Sequence, residues 1–431
     1  MPRPARAPSA LTIRTYQVGF GDCFLLSFRY GPDTERHVLI DFGSTALPKG
    51  TPKDRMMAIA RDIAERCKGK LHAVVATHRH KDHISGFDTR AGGNGTGDII
   101  RALEPDVVVQ PWTEDPKLAR DATGPRSTQP AAARHVAALS SMHAIARQAL
   151  RESQRSRHFG AALKAQLAFL GEDNIANPGA VRNLMTMAKR NHYVWSGSAS
   201  GLEAVLPGVT ISVLGPPTLK QTKTIRKQRS RDADEFWHLQ AKALTLAATG
   251  NAAAEPFPRH VRSRGPVFPI DARWLIHHAR ATRGDQLLQI VRMLDQQMNN
   301  TSLILTFQVG RKSLLFPGDA QIENWQYALE QPKYRKLLAG VDLYKVGHHG
   351  SLNATPKTLW SRFDKRSKTP SKNRMKSLLS TMEHKHGSEA SNTEVPRRKL
   401  LGALKAETDL FSTQELKGDA FYRDVTLTLP S

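Results

Sequence analysis

HAVVATHRHKDHISGF, residues 72–87, is the stretch that decides how this chain is read. A short apolar strand, His72–Thr77, runs straight into His78-Arg79-His80-Lys81-Asp82-His83. Four side chains able to ligate a metal, His78, His80, Asp82 and His83, lie within six positions. Neutral imidazole and carboxylate are the usual ligands of a borderline cation such as Zn²⁺. In a tight turn His78 and His80, two apart, point the same way, while Asp82 and His83 face a second ion. The spacers Arg79 and Lys81 face away. Gly86 lets the backbone turn sharply at low steric cost. With 17 His in the chain, a fortuitous His-rich surface loop is the competing reading. An H-x-H-x-D-H run directly behind an apolar strand argues against it.

Outward from this turn, the flanks read as layered α and β. LTIRTYQVGFGDCFLLSF (Leu11–Phe28) has apolar residues two apart, broken at Gly19 and Gly21. HVLIDFG (His37–Gly43) is a second strand whose last residues include Asp41, and Asp54–Cys67 has apolar residues at helical spacing behind a capping-type Asp. Strand, helix, strand in that order predicts a layered arrangement. Residues from about 113 to 200 turn rich in Ala, Arg, Gln and Ser. LPGVTISVLGPP (Leu206–Pro217) reads as strand, turn, strand. Strands resume at Ser302–Ala320, a hairpin around Val309-Gly310-Arg311, followed by a helix at ENWQYALEQ and then VDLYKVGHHGS. One more helix and one more strand close the chain. The blocks 11–112 and 302–431 are expected to form two halves of one sandwich, with a helical and basic-loop region inserted at about 113–290. Residues 1–10 are expected to be a disordered lead-in.

Composition narrows the function classes. Among 431 residues there are 63 Lys and Arg against 39 Asp and Glu, a net charge of +24. Such a field attracts phosphate-rich polyanions. The basic runs Lys220–Arg231 and Lys365–Ser377 lie between strand blocks and are expected to form loops near the mouth of a site. Two cysteines, Cys23 and Cys67, exclude a disulfide scaffold and a CxxC zinc module and suit a reduced compartment. No stretch approaches the ~18 apolar residues of a membrane span, and the first ten residues lack an apolar signal core. A cytoplasmic protein with no membrane partner is expected.

HRHKDH matches the H-x-H-x-D-H signature of the metallo-β-lactamase superfamily. The order of the remaining motifs is similar too: IDFG with Asp41, FPGDA with Asp319, and VGHHGS with His348 and His349. More narrowly, QVGFGDCFLLSF, VTISVLGPP, NNTSLILTF, LLFPGDA and KVGHHGS resemble the hydrolase domain of the ComEC family of bacterial competence proteins. Teichoic-acid phosphorylcholine esterases share a similar HHG arrangement. The resemblance implies a four-layer αββα sandwich carrying a helical or loop insertion. It implies two divalent ions, Zn²⁺ or Mn²⁺. His78 and His80 would hold the first, Asp82 and His83 the second, and Asp319 would bridge them. His349 would complete the second site and His348 would reach the leaving group, the opposite assignment of that pair remaining open. Asp41 would orient a ligating His.

One departure stands out. Many members supply a further His to the first metal from between the D-H and G-D motifs. Here no His stands in an obvious motif of that interval, His277-His278 lies in a stretch that reads as a helix, and Asn300 sits where the ComEC-like pattern has Asn. A weaker first site, or one completed by Asn and water, is then expected, and Mn²⁺ becomes a rival to Zn²⁺. The resemblance implies a metal-dependent hydrolase, with Asp82 and His348 as catalytic groups. It would act by attack of metal-bound hydroxide on a phosphodiester of DNA, RNA or a nucleotide. Lys220, Arg226, Lys227, Arg229 and His386 are the expected contacts to that anionic substrate. The alternatives are a hydrolase of another ester, such as a phosphorylcholine ester or lactone, and a non-catalytic nucleic-acid-binding protein of the same fold.

Overall fold

The computed structural model describes residues 7–117, 177–218, 220–222, 299–383, 394–417 and 419–429, together with 125, 164 and 385. Its strands in chain order are β1 (Ala10–Tyr16), β2 (Cys23–Arg29), β3 (Glu35–Phe42), β4 (Ala73–Val75), β5 (Val107–Pro111), β6 (Arg190–Val194), β7 (Val209–Gly215), β8 (Ile304–Val309), β9 (Lys312–Phe316), β10 (Leu343–Lys345), β11 (Lys376–Leu379), β12 (Asp409–Ser412) and β13 (Tyr422–Thr428). They form two sheets, ordered β13-β1-β2-β3-β4-β5-β6 and β12-β11-β10-β9-β8-β7. Each sheet is mixed. In the first, β1, β2 and β3 are antiparallel and β3 to β6 parallel. In the second, β7, β8 and β9 are antiparallel and β9 to β12 parallel.

The two sheets pack face to face because their strands are apolar on alternate residues that meet at the centre. Leu11 and Ile13 of β1, Phe24, Leu26 and Phe28 of β2, and Val38 and Ile40 of β3 share one buried cluster with Phe307, Phe316 and Leu343 of the facing sheet. The intervening residues Cys23, Leu25 and Leu39 are buried as well, against helices on the other face. Strands covered on both faces read as nearly continuous apolar runs, and CFLLSF is one. Helices α1 (Arg55–Arg66), α2 (Lys81–Ile84), α3 (Thr96–Ala102) and α4 (Pro178–Thr186) lie in the first half, with Ile59 and Ile63 of α1, Ile100 of α3 and Leu184 of α4 packed on that face. Helices α5 (Ile322–Glu330), α6 (Pro332–Ala339), α7 (Lys357–Trp360) and α8 (Arg398–Glu407) lie in the second half, with Trp325, Leu338, Leu359 and Leu404 packed on the outer face of the second sheet. The layers therefore run helix, sheet, sheet, helix. Among the described residues no helix is long and apolar enough to cross a membrane.

Four expectations change. The stretch taken as an insertion at about 113–290 contains two sheet strands, because β6 extends the first sheet beside β5 and β7 pairs with β8. Leu206–Pro217 holds one strand rather than two; its Gly208 is followed by seven consecutive sheet residues, with a register shift between Val213 and Gly215. The lead-in is ordered at least from Ala7: Pro8 is buried, the Ser9 amide donates to the Arg29 carbonyl, and Ala10 pairs with Arg29 and Thr428. Finally, the basic run Lys365–Ser377 enters β11 at its first residue.

Candidate metal centre

The parallel strands bring the chemistry-bearing residues to one edge of the sandwich. Asp41 comes at the end of β3, Thr77 to His83 directly after β4, Asp319 after β9, His348 and His349 after β10, and Ser380 after β11. The crevice beyond the carboxyl ends of parallel strands is where α/β sheets place their ligands. The two halves meet through glycine. Gly318 has φ +54, and a Cβ there would lie 2.8 Å from Thr77 Cβ, so the F-P-G-D turn rests directly on the end of β4. Gly43 does the same for α2: a Cβ would sit 2.5 Å from the His83 backbone nitrogen. Three non-glycine residues at this edge, Asp41, His348 and His349, have φ of 54°, 45° and 51°. Such strain collects at functional sites.

Four residues converge. The ligand atoms of Asp82, His83, Asp319 and His349 all lie within 4.8 Å of one another, and all four side chains are buried. The Asp82 Oδ2 lies 2.7 Å from the His349 Nε2 and 3.6 Å from the His83 Nε2, which is itself 3.1 Å from the Asp319 Oδ2. Each imidazole is aimed from behind. The His83 Nδ1 donates to the Asp41 carboxylate at 2.8 Å, and Asp41 is fixed by the Thr77 amide and hydroxyl, each at 2.7 Å. The His349 Nδ1 donates to the Ser380 carbonyl at 3.0 Å. In both rings Nδ1 is thereby occupied and Nε2 faces the cluster, the arrangement that fixes a ligating tautomer.

The fit to a divalent cation rests on this donor set. Two carboxylates and two imidazoles suit Zn²⁺ or Mn²⁺. The Asp82 Oδ1 is buried with no hydrogen-bond partner, which costs free energy unless something else satisfies it. Charge is concentrated here. Burial opposes ionisation of Asp82 and Asp319, but the imidazole of His83 holds both carboxyls well below their usual range, helped by His349 at Asp82 and by His348 and Lys345 at Asp319. Burial likewise opposes charging of His83, yet Asp319, Asp82 and Asp41 push its pKa well up.

His78 and His80 adjoin the cluster without belonging to it. The His78 ring lies 4.1 Å from that of His83, but its Nε2 is 2.9 Å from the His80 Nδ1, so the two side chains face each other. Burial, with His83 and His80 adding to it, lowers the His78 pKa well below its usual value. Of the pair after β10, His349 joins the four and His348 does not. The His348 side chain is 25% exposed with its Nε2 3.9 Å from the Asp319 Oδ2, and its amide donates to the Asp319 Oδ1 at 3.1 Å. The spacer Arg79 turns away to pair with Glu114.

The remaining expected residues divide. Asp41 meets its expected partner, a cluster histidine. The Asn300 amide nitrogen donates to the Glu323 carboxylate at 3.0 Å. Lys220 is exposed. Arg226, Lys227, Arg229, His277, His278 and His386 lie outside the described residues. The second basic run does not lie at the mouth of this site. Residues 365–375 precede β11 and Lys376 and Ser377 open it, whereas the site lies beyond the other end of the strand, at Ser380. At ~3.3 Å per residue a four-residue strand separates them by roughly 13 Å. Several of its charges are also taken up: Lys365 pairs with Asp342, Arg366 with Glu407 and Arg374 with Asp409.

Two residues escaped the sequence reading. Asp22, in the turn before β2, and Lys345, the last residue of β10, form a buried ion pair directly behind the cluster. The signal for Lys345 was a charged residue closing an otherwise apolar strand immediately before the His pair. No family model matches this chain, and no curated protein matches it.

Proposed function

We propose that this chain is a metal-dependent hydrolase of the metallo-β-lactamase fold, related to the ComEC-type hydrolase domains, and that it cleaves phosphodiesters of nucleic acids or nucleotides. The observation that carries this reading is the convergence of Asp82, His83, Asp319 and His349 from opposite halves of the chain. These four would hold one ion, Zn²⁺ or Mn²⁺. His78 and His80, beside them, would hold a second. A bound ion supplies Lewis acidity, polarising a phosphoryl oxygen and lowering the pKa of water.

The protein's own groups do the rest. Asp41 and the Ser380 carbonyl keep His83 and His349 turned inward. His348, the partly exposed member of the His pair after β10, is the group able to protonate a departing oxygen. The net charge of +24 favours a polyanionic substrate over a neutral ester. Hydrolysis of bis-(p-nitrophenyl) phosphate with added Mn²⁺ or Zn²⁺ tests the reading. The double substitution Asp82→Ala/His83→Ala should lower turnover by at least about a hundredfold, since even partners behind the ligands are worth 10–100-fold. Equal rates in wild type and the double variant would remove the enzymatic claim.

A further inference from the structure

Behind the four converging side chains lies a second group of ligand-type atoms, Asp22, Asp41 and His83. By chemistry alone it would suit a cation. One is already there: the Lys345 ammonium pairs with Asp22, lies 3.6 Å from the Asp319 Oδ1 and donates to the Gly318 carbonyl at 3.3 Å. Lys345 is 2% exposed and Asp22 is fully buried. The pair spans the sandwich. Asp22 comes from the turn before β2, its amide donating to the Asp82 carbonyl at 3.0 Å, and Lys345 comes from β10 in the facing sheet.

The two oxygens of Asp319 have different surroundings. Oδ1 faces the Lys345 ammonium and the His348 amide, at 3.6 and 3.1 Å. Oδ2 faces the imidazoles of His83, His349 and His348, at 3.1, 3.8 and 3.9 Å. We propose that Lys345, anchored by Asp22, is a positioning residue: it ties down one oxygen of Asp319 so that the other is presented to the ion. The proposal rests on the metal-hydrolase reading above and adds two residues to it. A buried charge pair of this kind is weak evidence for stability, so its cost needs another return, and the orientation of a ligand is one.

The test separates orientation from folding. Lys345→Met alone leaves Asp22 buried without its lysine, with only the His83 and His349 imidazoles at 3.7 and 3.8 Å, and its urea midpoint in EDTA should fall sharply. Asp22→Asn/Lys345→Met removes one charge of each sign, so the pocket's net charge is unchanged and the midpoint should return towards wild type. Mn²⁺ affinity, measured by calorimetry on the full chain, should still be about tenfold or more weaker in the double variant. Recovery of both stability and Mn²⁺ affinity to within twofold would show a purely structural pair and overturn the proposal. So would a double variant that stays as unstable as Lys345→Met. If the wild type itself takes up no Mn²⁺ or Zn²⁺, the metal-hydrolase reading fails and takes this one with it. Wild-type uptake with undiminished binding in the double variant sinks this proposal alone.

Discussion

Histidines lie at both ends of the parallel strands β3 and β4, and the two ends behave in opposite ways. At the start of the pair, His37 and the adjoining His72 sit 6.1 Å apart, the His37 amide donating to the His72 Nδ1 at 3.1 Å, with Ser27 Oγ 2.9 Å from the His37 Nδ1. Burial lowers both to about 4, and neighbouring Arg66 and Arg36 add to the effect. At the finish of the same strands, His83 is fully buried, yet its pKa is pushed well up, because Asp319, Asp82 and Asp41 surround it. Burial acts in the same direction at both ends. The balance of neighbours differs: single carboxylates, Glu35 and Asp106, are offset by cations at one end, and three carboxylates converge at the other. A histidine cluster becomes a candidate metal centre through the acids that face it and the partners that aim it.

The sharpest way to break this comparison is to weaken the acid behind the ring. Asp41→Asn keeps the size of the side chain and removes the charge that holds the His83 Nδ1 proton. Mn²⁺ affinity should fall roughly 10–100-fold, with turnover following, as measured by calorimetry and by bis-(p-nitrophenyl) phosphate hydrolysis. An Asp41→Asn protein with wild-type affinity would mean that His83 is oriented by packing alone.

The other end makes a smaller prediction, in stability. His37 and His72 stay neutral in the fold and titrate near 6.5 once unfolded, so the unfolded chain binds more protons as pH falls. Their contribution is fully present above about 6.5 and is lost as pH drops towards about 4. Urea midpoints should decline across that window, with His37 accounting for up to about 1.4 kcal/mol per pH unit. His37→Gln should flatten the decline and leave hydrolysis at pH 7.5 within twofold of wild type. A profile unchanged by His37→Gln would show that the decline belongs to the other end of the strands.

The smallest effect is expected from the basic run before β11. Lys368 and Lys372 are exposed and lie on the far side of the sheet from Ser380. Lys368→Glu/Lys372→Glu should leave both nucleic-acid cleavage and its salt dependence within about twofold. A clear drop in the salt slope would instead bring polyanion contacts to this edge.

Much of the edge that carries the site was legible beforehand. The apolar strand His72–Thr77, the turn of metal-capable residues behind it and the strand ending near Asp41 all follow from local spacing. The hairpin around Gly310 and the helix at α5 do as well. What resisted was whatever depended on which strand lies beside which. Residues 177–218 fall inside the interval expected to be an insertion, yet β6 and β7 extend the two sheets. The basic run at 365–377 looked like a substrate loop because charge is visible in a sequence and strand direction is not.

The order of apolar and polar residues dictated the strands, their buried faces and the tight turn holding His78 to His83, since backbone periodicity and turn chemistry are local matters. Only the packing of one sheet on the other decided that Asp82 and His349, 267 positions apart, would lie 2.7 Å from each other. The same packing selected His349 over His348 and set the Lys345 ammonium against Asp22 beneath them. Long-range contacts of this kind arise when two apolar faces exclude water together, and no window of sequence contains both faces.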